Sequence, residues 1–471
     1  MSARGALAAI PPPSEALRRG PVVAGVLAGG LAIGALATVR PLFAVGAVVA
    51  LAFVLVAFRS FAAGVAFFVV VTFFETLPGS PTTGLTFVRA AGFVLALAWL
   101  ANLANRQAGT PLVFRDHPLI AYATVFFITW SFASILWATD PVSARVDSIR
   151  LAQNALLFVL VFTAIAKRQH LIWVLGAYLG GAFLTAVVGI AGGSSSEQFG
   201  PYADTSRLSG GIGDPNELAA ILIPALVVAA FLLAVVTTPL LRWLLGSVVV
   251  VLALALFLTQ SRGGLLALAV VAVVTPFLAG PVRLRALAVI LTIAALGIGY
   301  YALVAPPAAI QHVTSFSAGG GTGREDLWRV AIEMWRDHPY AGIGTGNFTV
   351  VEPHYAVRTI NLPRVDLVVD NPKVAHNTYL HVLTELGLVG FVAFMGMLGG
   401  SLVVAWRSIK ELERRGERRL EILGRGLLIG TIGMLAAFVF ITAQWEKQLW
   451  LLLGTCLALS TLARAGESAD V

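Results

Sequence analysis

Long apolar runs, each about the length of a membrane-crossing helix, recur along most of the chain. A helix needs about 20 mostly apolar residues to cross a bilayer. The pattern predicts fourteen candidate spans, some of them short or tightly connected, so that the number could fall to twelve. Their approximate limits are 21–39, 41–58, 61–77, 84–103, 118–137, 150–166, 171–192, 216–238, 243–259, 264–280, 286–304, 376–406, 426–442 and 447–463. The pattern therefore predicts an all-α, polytopic membrane protein with about 12–14 transmembrane helices.

Composition agrees with this class and excludes others. Of the 471 residues, 58% are hydrophobic and 12% are charged, about half the charged share of roughly 25% in a soluble domain. This excludes a cytosolic enzyme, a secreted disulfide scaffold and a disordered chain. Cys456 is the single cysteine, so no intrachain disulfide forms. The net charge of +8 comes from basic residues scattered over short loops, and we therefore expect no nucleic-acid partner.

The distribution of lysine and arginine predicts which way the chain faces. Cytoplasmic loops carry an excess of these residues, and more than half of the 32 fall inside if the N-terminus is cytoplasmic. No cleavage site follows the first apolar run, which we interpret as an uncleaved helix. The predicted divisions are a cytoplasmic N-terminus (1–20), transmembrane helices (21–304), an extracytoplasmic loop (305–375), further transmembrane helices (376–464) and a cytoplasmic tail (465–471). The basic stretch 407–425 is predicted to be a cytoplasmic loop containing a short solvated helix.

Several arginines remain on the predicted outer side, where topology favours few cations. Arginine binds phosphate well because its planar fork donates two parallel hydrogen bonds and stays charged. Convergent arginines at the outer boundary would suit a lipid-linked pyrophosphate, whereas interfacial snorkelling or structural ion pairs are the alternative. These residues are Arg145, Arg150, Arg207, Arg262 and Arg324.

Two segments around these arginines have features of ligand-binding turns. Residues 207–218 contain three glycines, and Asp214 or Asn216 could cap the helix that follows. A helix N-terminus attracts anions, although a plain turn and cap explain the same residues. Arg262 lies within 259–264, a turn so short that its charge must sit at the membrane boundary.

The long outer segment contains a predicted amphipathic helix at 324–337. Leu327, Val330, Ala331 and Met334 recur at helical spacing, and Pro339 follows the helix. The apolar stripe fits either a helix along the membrane surface or packing within the loop. The Gly-x-Gly-x-Gly string at 342–346 lacks the flanking strand and helix of a dinucleotide site.

A histidine begins the next predicted span. On a continuous helix, Gly387 and Gly390 would share the face of His376, and these small residues would let a neighbouring helix pack closely. His376 could then act as a base toward a hydroxyl or serve as a structural histidine. His381 and Glu385 are spaced to pair, either as a proton relay or as support.

Together these segments resemble the O-antigen ligase and O-antigen polymerase superfamily, over roughly residues 200–400. The resemblance lies in His376-Asn377 followed by Gly387 and Gly390, in the 259–264 turn, in Gly323-Arg324 leading to Leu327-Trp328, and in the stretch from Arg207 to Asn216.

The resemblance implies a metal-independent membrane glycosyltransferase without a cofactor, acting on the outer face of the bacterial inner membrane. Its donor would be a polyprenyl-pyrophosphate-linked glycan, and its acceptor a glycan, a lipid or a protein. By this analogy His376 is the general base, and Arg207, Arg262 and Arg324 bind the pyrophosphate, with Asn216 and Asn377 as further substrate-binding residues. Ligase, polymerase and protein oligosaccharyltransferase remain open. A transporter or flippase of lipid-linked glycans is the alternative, with Glu75, Arg89 and Glu385 as its intramembrane charges.

Overall fold

A computed structural model describes Thr38 and residues 41–74, 87–104, 110–192, 207–314, 324–359 and 373–465. The predicted cytoplasmic N-terminus 1–20, nearly all of the span 21–39, Glu75 and most of the tail 465–471 lie outside these ranges.

The described residues form α-helices joined by short connections. The first half contains α1 (Pro41–Arg59), α2 (Phe61–Val71), α3 (Phe87–Ala104), α4 (Val113–Asp116), α5 (Pro118–Ala133), α6 (Pro141–Ala164), α7 (Arg168–Gly192) and α8 (Pro215–Val235). The second half contains α9 (Pro239–Leu258), α10 (Arg262–Leu278), α11 (Arg283–Leu303), α12 (Pro307–Thr314), α13 (Arg324–Asp337), α14 (Phe348–Arg358), α15 (Thr378–Arg414), α16 (Arg418–Ala437) and α17 (Lys447–Ala465). Short 3₁₀ turns extend α5 and precede α11.

The predicted fold class is confirmed. Ten of the described helices are long and apolar enough to cross a membrane, and α1, α2 and α10 are shorter apolar helices. Each corresponds to a predicted span, and no strand occurs within the described ranges. Two starts were wrong: α6 begins at Pro141, not at residue 150, and α16 begins at Arg418, not at residue 426. The start of α6 has a local cause, because the Asp140 side chain accepts the Val142 N–H at 2.9 Å and proline favours the first helical position.

The predicted cytoplasmic loop at 407–425 is almost entirely helical, which corrects that prediction. The helix α15 continues to Arg414, and α16 begins at Arg418. Ion pairs three or four residues apart, such as Glu411 with Arg415 at 2.6 Å, favour helix here. The reversal is confined to the turn around Gly416, whose φ is +71°.

The amphipathic helix predicted at 324–337 is α13, and it packs within the loop. Its apolar side chains join a second hydrophobic cluster that is separate from the core of the bundle. The members of this cluster are Leu327, Val330, Ala331, Met334, Ile343, Phe348, Tyr355, Ala356 and Ala375. Because α13 also contacts α15, the segments 324–359 and 373–377 form a small cap on that helix.

The longest helix, α15, is interrupted at Gly387, where φ is +63° and ψ is −172°. The predicted shared face of His376, Gly387 and Gly390 is therefore wrong. His376 lies before the helix, with φ of +49°, and the helix rotation on which the prediction relied does not continue through the break. Gly390 does allow a close approach, because a Cβ there would lie 3.1 Å from the Trp130 ring of α5.

The cap fills the break in α15 with its own backbone. The amides of Ile343 and Gly344 donate to the carbonyls of Thr384 and Glu385 at 3.1 and 2.8 Å, and the amide of Leu388 donates to the Pro339 carbonyl at 2.8 Å. Backbone groups freed within a membrane helix must find partners inside the protein, and the segment 339–344 supplies them.

The glycine string at 342–346 has a structural explanation. All three glycines have positive φ, and a Cβ on Gly342 would lie 2.3 Å from the Glu385 carbonyl oxygen. A Cβ on Gly387 would lie 2.1 Å from the Tyr340 carbonyl oxygen. Only glycines let the two backbones approach this closely.

We expect Gly387→Ala to destabilise the protein by at least about 1–3 kcal/mol, because it combines a backbone clash with left-handed φ. Gly396→Ala is the matched control on the same helix, since a Cβ there meets nothing within 4 Å. Alanine should stabilise that position by up to about 1 kcal/mol. Thermal unfolding of the purified proteins, followed by tryptophan fluorescence, measures both; equal midpoints would contradict the role given to the break.

Candidate active site

The position of His376 is fixed by the residues that follow it. The Asn377 side chain caps α15, its Oδ1 accepting the amides of Tyr379 and Leu380 at 3.0 Å each. Thr378 donates its hydroxyl to the Ile441 carbonyl at 2.7 Å and its amide to the Phe438 carbonyl at 2.9 Å. His376 thus lies where the cap meets the link between α16 and α17.

Arg207 is buried and anchored on two sides. Its Nε donates to the Thr259 carbonyl at 2.9 Å, and its Nη2 donates to Asn216 Oδ1 at 3.0 Å. The adjacent Leu208 amide donates to the Leu258 carbonyl at 3.0 Å. The segment beginning at Arg207 is therefore joined to the turn that carries Arg262. In this structure Asn216 orients Arg207.

Close packing shapes the turn that carries Arg262. Gln260 has φ of +52°, and the Ser261 hydroxyl accepts the Gly264 amide at 3.2 Å as the cap of α10. A Cβ on Gly263 would lie 2.9 Å from Phe440, and one on Gly264 would lie 2.8 Å from Ala219. The two glycines therefore allow the start of α10 to approach α8 and the α16–α17 link.

Electrostatic coupling shows that the predicted charged residues are neighbours. The pKa of Arg324, at the start of α13, is lowered by burial and by the charges of Arg207 and Arg262, whereas Asp214 raises it. The pKa of His376 is lowered to about 4, by burial first and by the Arg324 charge second. Arg324 is thus coupled to His376 on one side and to Arg207 and Arg262 on the other. With its pKa near 4, the imidazole of His376 is neutral near pH 7.

Asp214 is the acidic residue beside these arginines, and the sequence indicated it only as a possible helix cap. Its carboxylate caps α8, accepting the amides of Asn216 and Glu217 at 2.7 and 3.0 Å. It also raises the pKa of both Arg324 and His376. The Asp-Pro pair before an apolar run was the available signal, but nothing in the sequence placed it beside the histidine.

Arg150 and the second histidine have other partners. Arg150 pairs with Asp147 at 3.3 Å on α6, and neither Arg150 nor Arg145 perturbs His376. The predicted His381–Glu385 pair forms, with Nε2 to Oε1 at 3.2 Å. Glu385 also accepts the Phe348 amide at 3.1 Å. This buried pair joins the cap to α15.

The described residues contain no group of three or more potential ligand side chains close enough to hold a metal ion. The cluster at this end of the bundle consists of three guanidinium groups, one imidazole and one carboxylate. It is suited to binding an anion rich in oxygen and to accepting a proton beside that anion.

The fold and this cluster define a multi-pass membrane protein with a cationic, histidine-containing site at one end of its helices. Residues 247–395 match the family model described as O-antigen ligase. This match confirms the resemblance to the O-antigen ligase and polymerase superfamily. It includes Arg262, Arg324 and His376, whereas Arg207 and Asn216 precede the matched segment. No curated protein matches the chain.

We expect Arg324→Gln to raise the pKa of His376 from about 4, because removing a nearby positive charge stabilises the imidazolium. Burial remains, so the pKa should stay below its ordinary value. Arg329→Gln is the control on the same helix, since Arg329 is exposed and lies 3.6 Å from Asp326. An NMR titration of labelled histidine measures both. Equal shifts in the two variants would argue against contact between Arg324 and the histidine.

Proposed function

We propose that the protein transfers a glycan from a polyprenyl-pyrophosphate carrier to an acceptor hydroxyl on the outer face of the bacterial inner membrane. At the level of the family, the matched domain supports an O-antigen ligase-like membrane glycosyltransferase. The observation that carries the finer proposal is a cluster of three arginines in which Arg324 is coupled both to the other two and to a neutral histidine.

The arginines are suited to the leaving group. When the bond between the anomeric carbon and the pyrophosphate oxygen breaks, that oxygen keeps the electron pair and its negative charge grows. Guanidinium groups that are already in place stabilise such charge without reorganising. Arg207 is held by Thr259 and Asn216, so its orientation is fixed before the donor arrives.

The histidine is suited to the acceptor. A neutral imidazole accepts the hydroxyl proton as the acceptor oxygen forms its bond to the anomeric carbon. The pKa of His376 near 4 makes it a weak base in the empty site, because burial and then the Arg324 charge oppose its protonation. A bound pyrophosphate would offset that charge and raise the pKa. The donor would therefore prepare the base, and we expect it to bind before the acceptor.

Two features bear on the transporter alternative. A transporter would place charges along a path through the bilayer, whereas the described cluster lies at one end of the helices. Glu385, one of the predicted intramembrane charges, is instead paired with His381 and the Phe348 amide. We therefore favour transfer. The acceptor remains a lipid core sugar, another repeat unit or a protein, and we propose cytoplasmic termini with the cap outside.

We expect His376→Ala to slow glycan transfer by about 10²–10⁴-fold, the usual contribution of a general base, while donor binding is retained. The assay uses purified protein in lipid with a polyprenyl-pyrophosphate glycan, a candidate acceptor and EDTA. His354→Ala, an exposed histidine of the cap, is the control and should transfer normally. His381→Ala should do less to transfer, although loss of the buried pair should lower stability.

Three results would contradict this mechanism. Normal turnover by His376→Ala would exclude His376 as the general base. Inhibition of the wild type by EDTA would indicate that transfer needs a metal ion. Passage of the donor across the bilayer without transfer would support the transporter.

Arg207→Lys, Arg262→Lys and Arg324→Lys should each reduce transfer roughly ten- to a hundredfold, since a hydrogen bond to a charged group contributes about 1.5–3 kcal/mol. Lysine keeps the charge but loses the bidentate fork. Arg336→Lys, on the exposed face of α13 and paired with Glu333 at 2.5 Å, is the matched control. Wild-type transfer by all three site variants would remove these arginines from the mechanism.

A further inference from the structure

A large cavity lies at the end of the bundle opposite the candidate active site. Its volume is about 1220 Å³, and α7, α8, α9, α16 and the turn before α11 surround it. The course of α8 shows the separation: this helix begins at Pro215, beside Asp214 of the active-site cluster, and ends at Val235, in the cavity wall. The cavity is thus distinct from the site around His376.

Five arginines line the cavity, and no acidic residue does. All five have exposed side chains, and none forms an ion pair with any residue that the structure describes. They lie at the starts of three helices, α7, α11 and α16, which are distant from one another along the chain. These residues are Arg168, Arg283, Arg285, Arg418 and Arg419.

The inner wall of the same cavity is apolar. It includes Leu175 and Leu179 on α7 and Val228 and Leu232 on α8. Gly176 opens this wall further, because a Cβ there would meet nothing within 4 Å. An apolar wall below a cationic rim matches an amphiphile, with its headgroup among the arginines and its chains along the helices.

Part of the rim is held in place by a buried arginine. The guanidinium of Arg425 donates to the Leu278 carbonyl at 2.6 Å and pairs with Glu421 at 2.8 Å. It packs against Gly280, which has a φ of +55°, and a Cβ there would lie 2.6 Å from the Arg425 Cζ. This contact fixes the turn that presents Arg283 and Arg285 to the cavity.

Helix geometry adds to the positive potential. The helices α7, α9, α11 and α16 all begin at this end, and a helix N-terminus carries partial positive charge. The caps of α9, α11 and α16 form no side-chain hydrogen bond to the helix amides. An anion in the cavity would meet both these amides and the guanidinium groups.

We propose that this cavity binds an anionic phospholipid, with the phosphodiester between the arginines and the acyl chains against α7 and α8. Basic pockets between membrane helices bind anionic headgroups. The bias of basic residues toward the cytoplasm explains arginines at this end, but it does not require a cavity or an apolar wall beneath them. The bound lipid would join α7 and α8 to α16 at the end of the bundle that lacks the cap.

The test counts phosphatidylglycerol molecules bound to the full-length protein by native mass spectrometry. Arg285→Gln/Arg419→Gln should weaken binding roughly 30-fold, since each basic residue contributes about 1 kcal/mol toward an anionic lipid. Arg407→Gln/Arg414→Gln removes the same charge from residues of α15 outside the cavity and should retain the lipid. Equal loss in both double variants would overturn the proposal, because it would indicate a general charge effect.

A second pair of variants tests the apolar wall without changing charge. Gly176→Trp fills the cavity and should displace phosphatidylglycerol. Gly180→Trp is the control, one turn along the same helix, also with nothing within 4 Å of its Cβ and outside the cavity lining. Equal binding by the two tryptophan variants would overturn the proposal. Equal occupancy by phosphatidylcholine would also overturn the proposal, because it would show that the cavity does not select anionic headgroups. Displacement of the lipid by inorganic phosphate alone would overturn it in favour of a free-phosphate site.

Discussion

The structure depends most on the break in α15 at Gly387. A membrane helix that is interrupted along its length exposes backbone groups that lipid cannot satisfy. Here residues 339–344 satisfy them with a short ladder of backbone hydrogen bonds. The same ladder attaches the cap to the bundle. Because α13 belongs to the cap, the position of Arg324 relative to His376 follows from this attachment. The attachment thereby brings a guanidinium close to an imidazole that lies far from it in sequence.

The cluster that results is electrostatically unbalanced. Three arginines approach one another, and Asp214, already engaged in capping α8, is the acidic residue that moderates their charge. Such an arrangement disfavours a protonated histidine and favours an anionic ligand for the same reason. In the proposed reaction, donor binding and proton transfer would therefore be coupled through charge. A site with more carboxylates would be more stable when empty, but it would also hold a pyrophosphate less tightly.

Much of the fold was predictable because burial in lipid leaves a simple hydrophobic pattern. The spans, the helix at 324–337 and the His381–Glu385 pair follow from length, periodicity and spacing. The break at Gly387 was not predictable in this way, since the apolar pattern runs through it without change and its cause is a contact with residues 339–344. At 407–425 the sequence predicts only a short helix within a loop, because the many charges resemble a loop, although their spacing matches ion pairs on a continuous helix. The place of Asp214 beside His376 depends on tertiary contacts that no local signal reports.

The excess of basic residues on the cytoplasmic side of membrane proteins bears differently on the arginines at the two ends of the bundle. On the side that we propose to be outside, where topology would disfavour cations, the arginines themselves are the informative feature, and we propose that they share the task of binding a pyrophosphate. Where topology favours cations, arginines alone carry little information, and the informative feature is the space that they surround. The helix α8 connects these two ends, capped by Asp214 at one and lining the cavity at the other. Ligands at the two ends would therefore both act on the buried helix α8. Each ligand would do so through the charged residues of the segments that pack around its end of that helix.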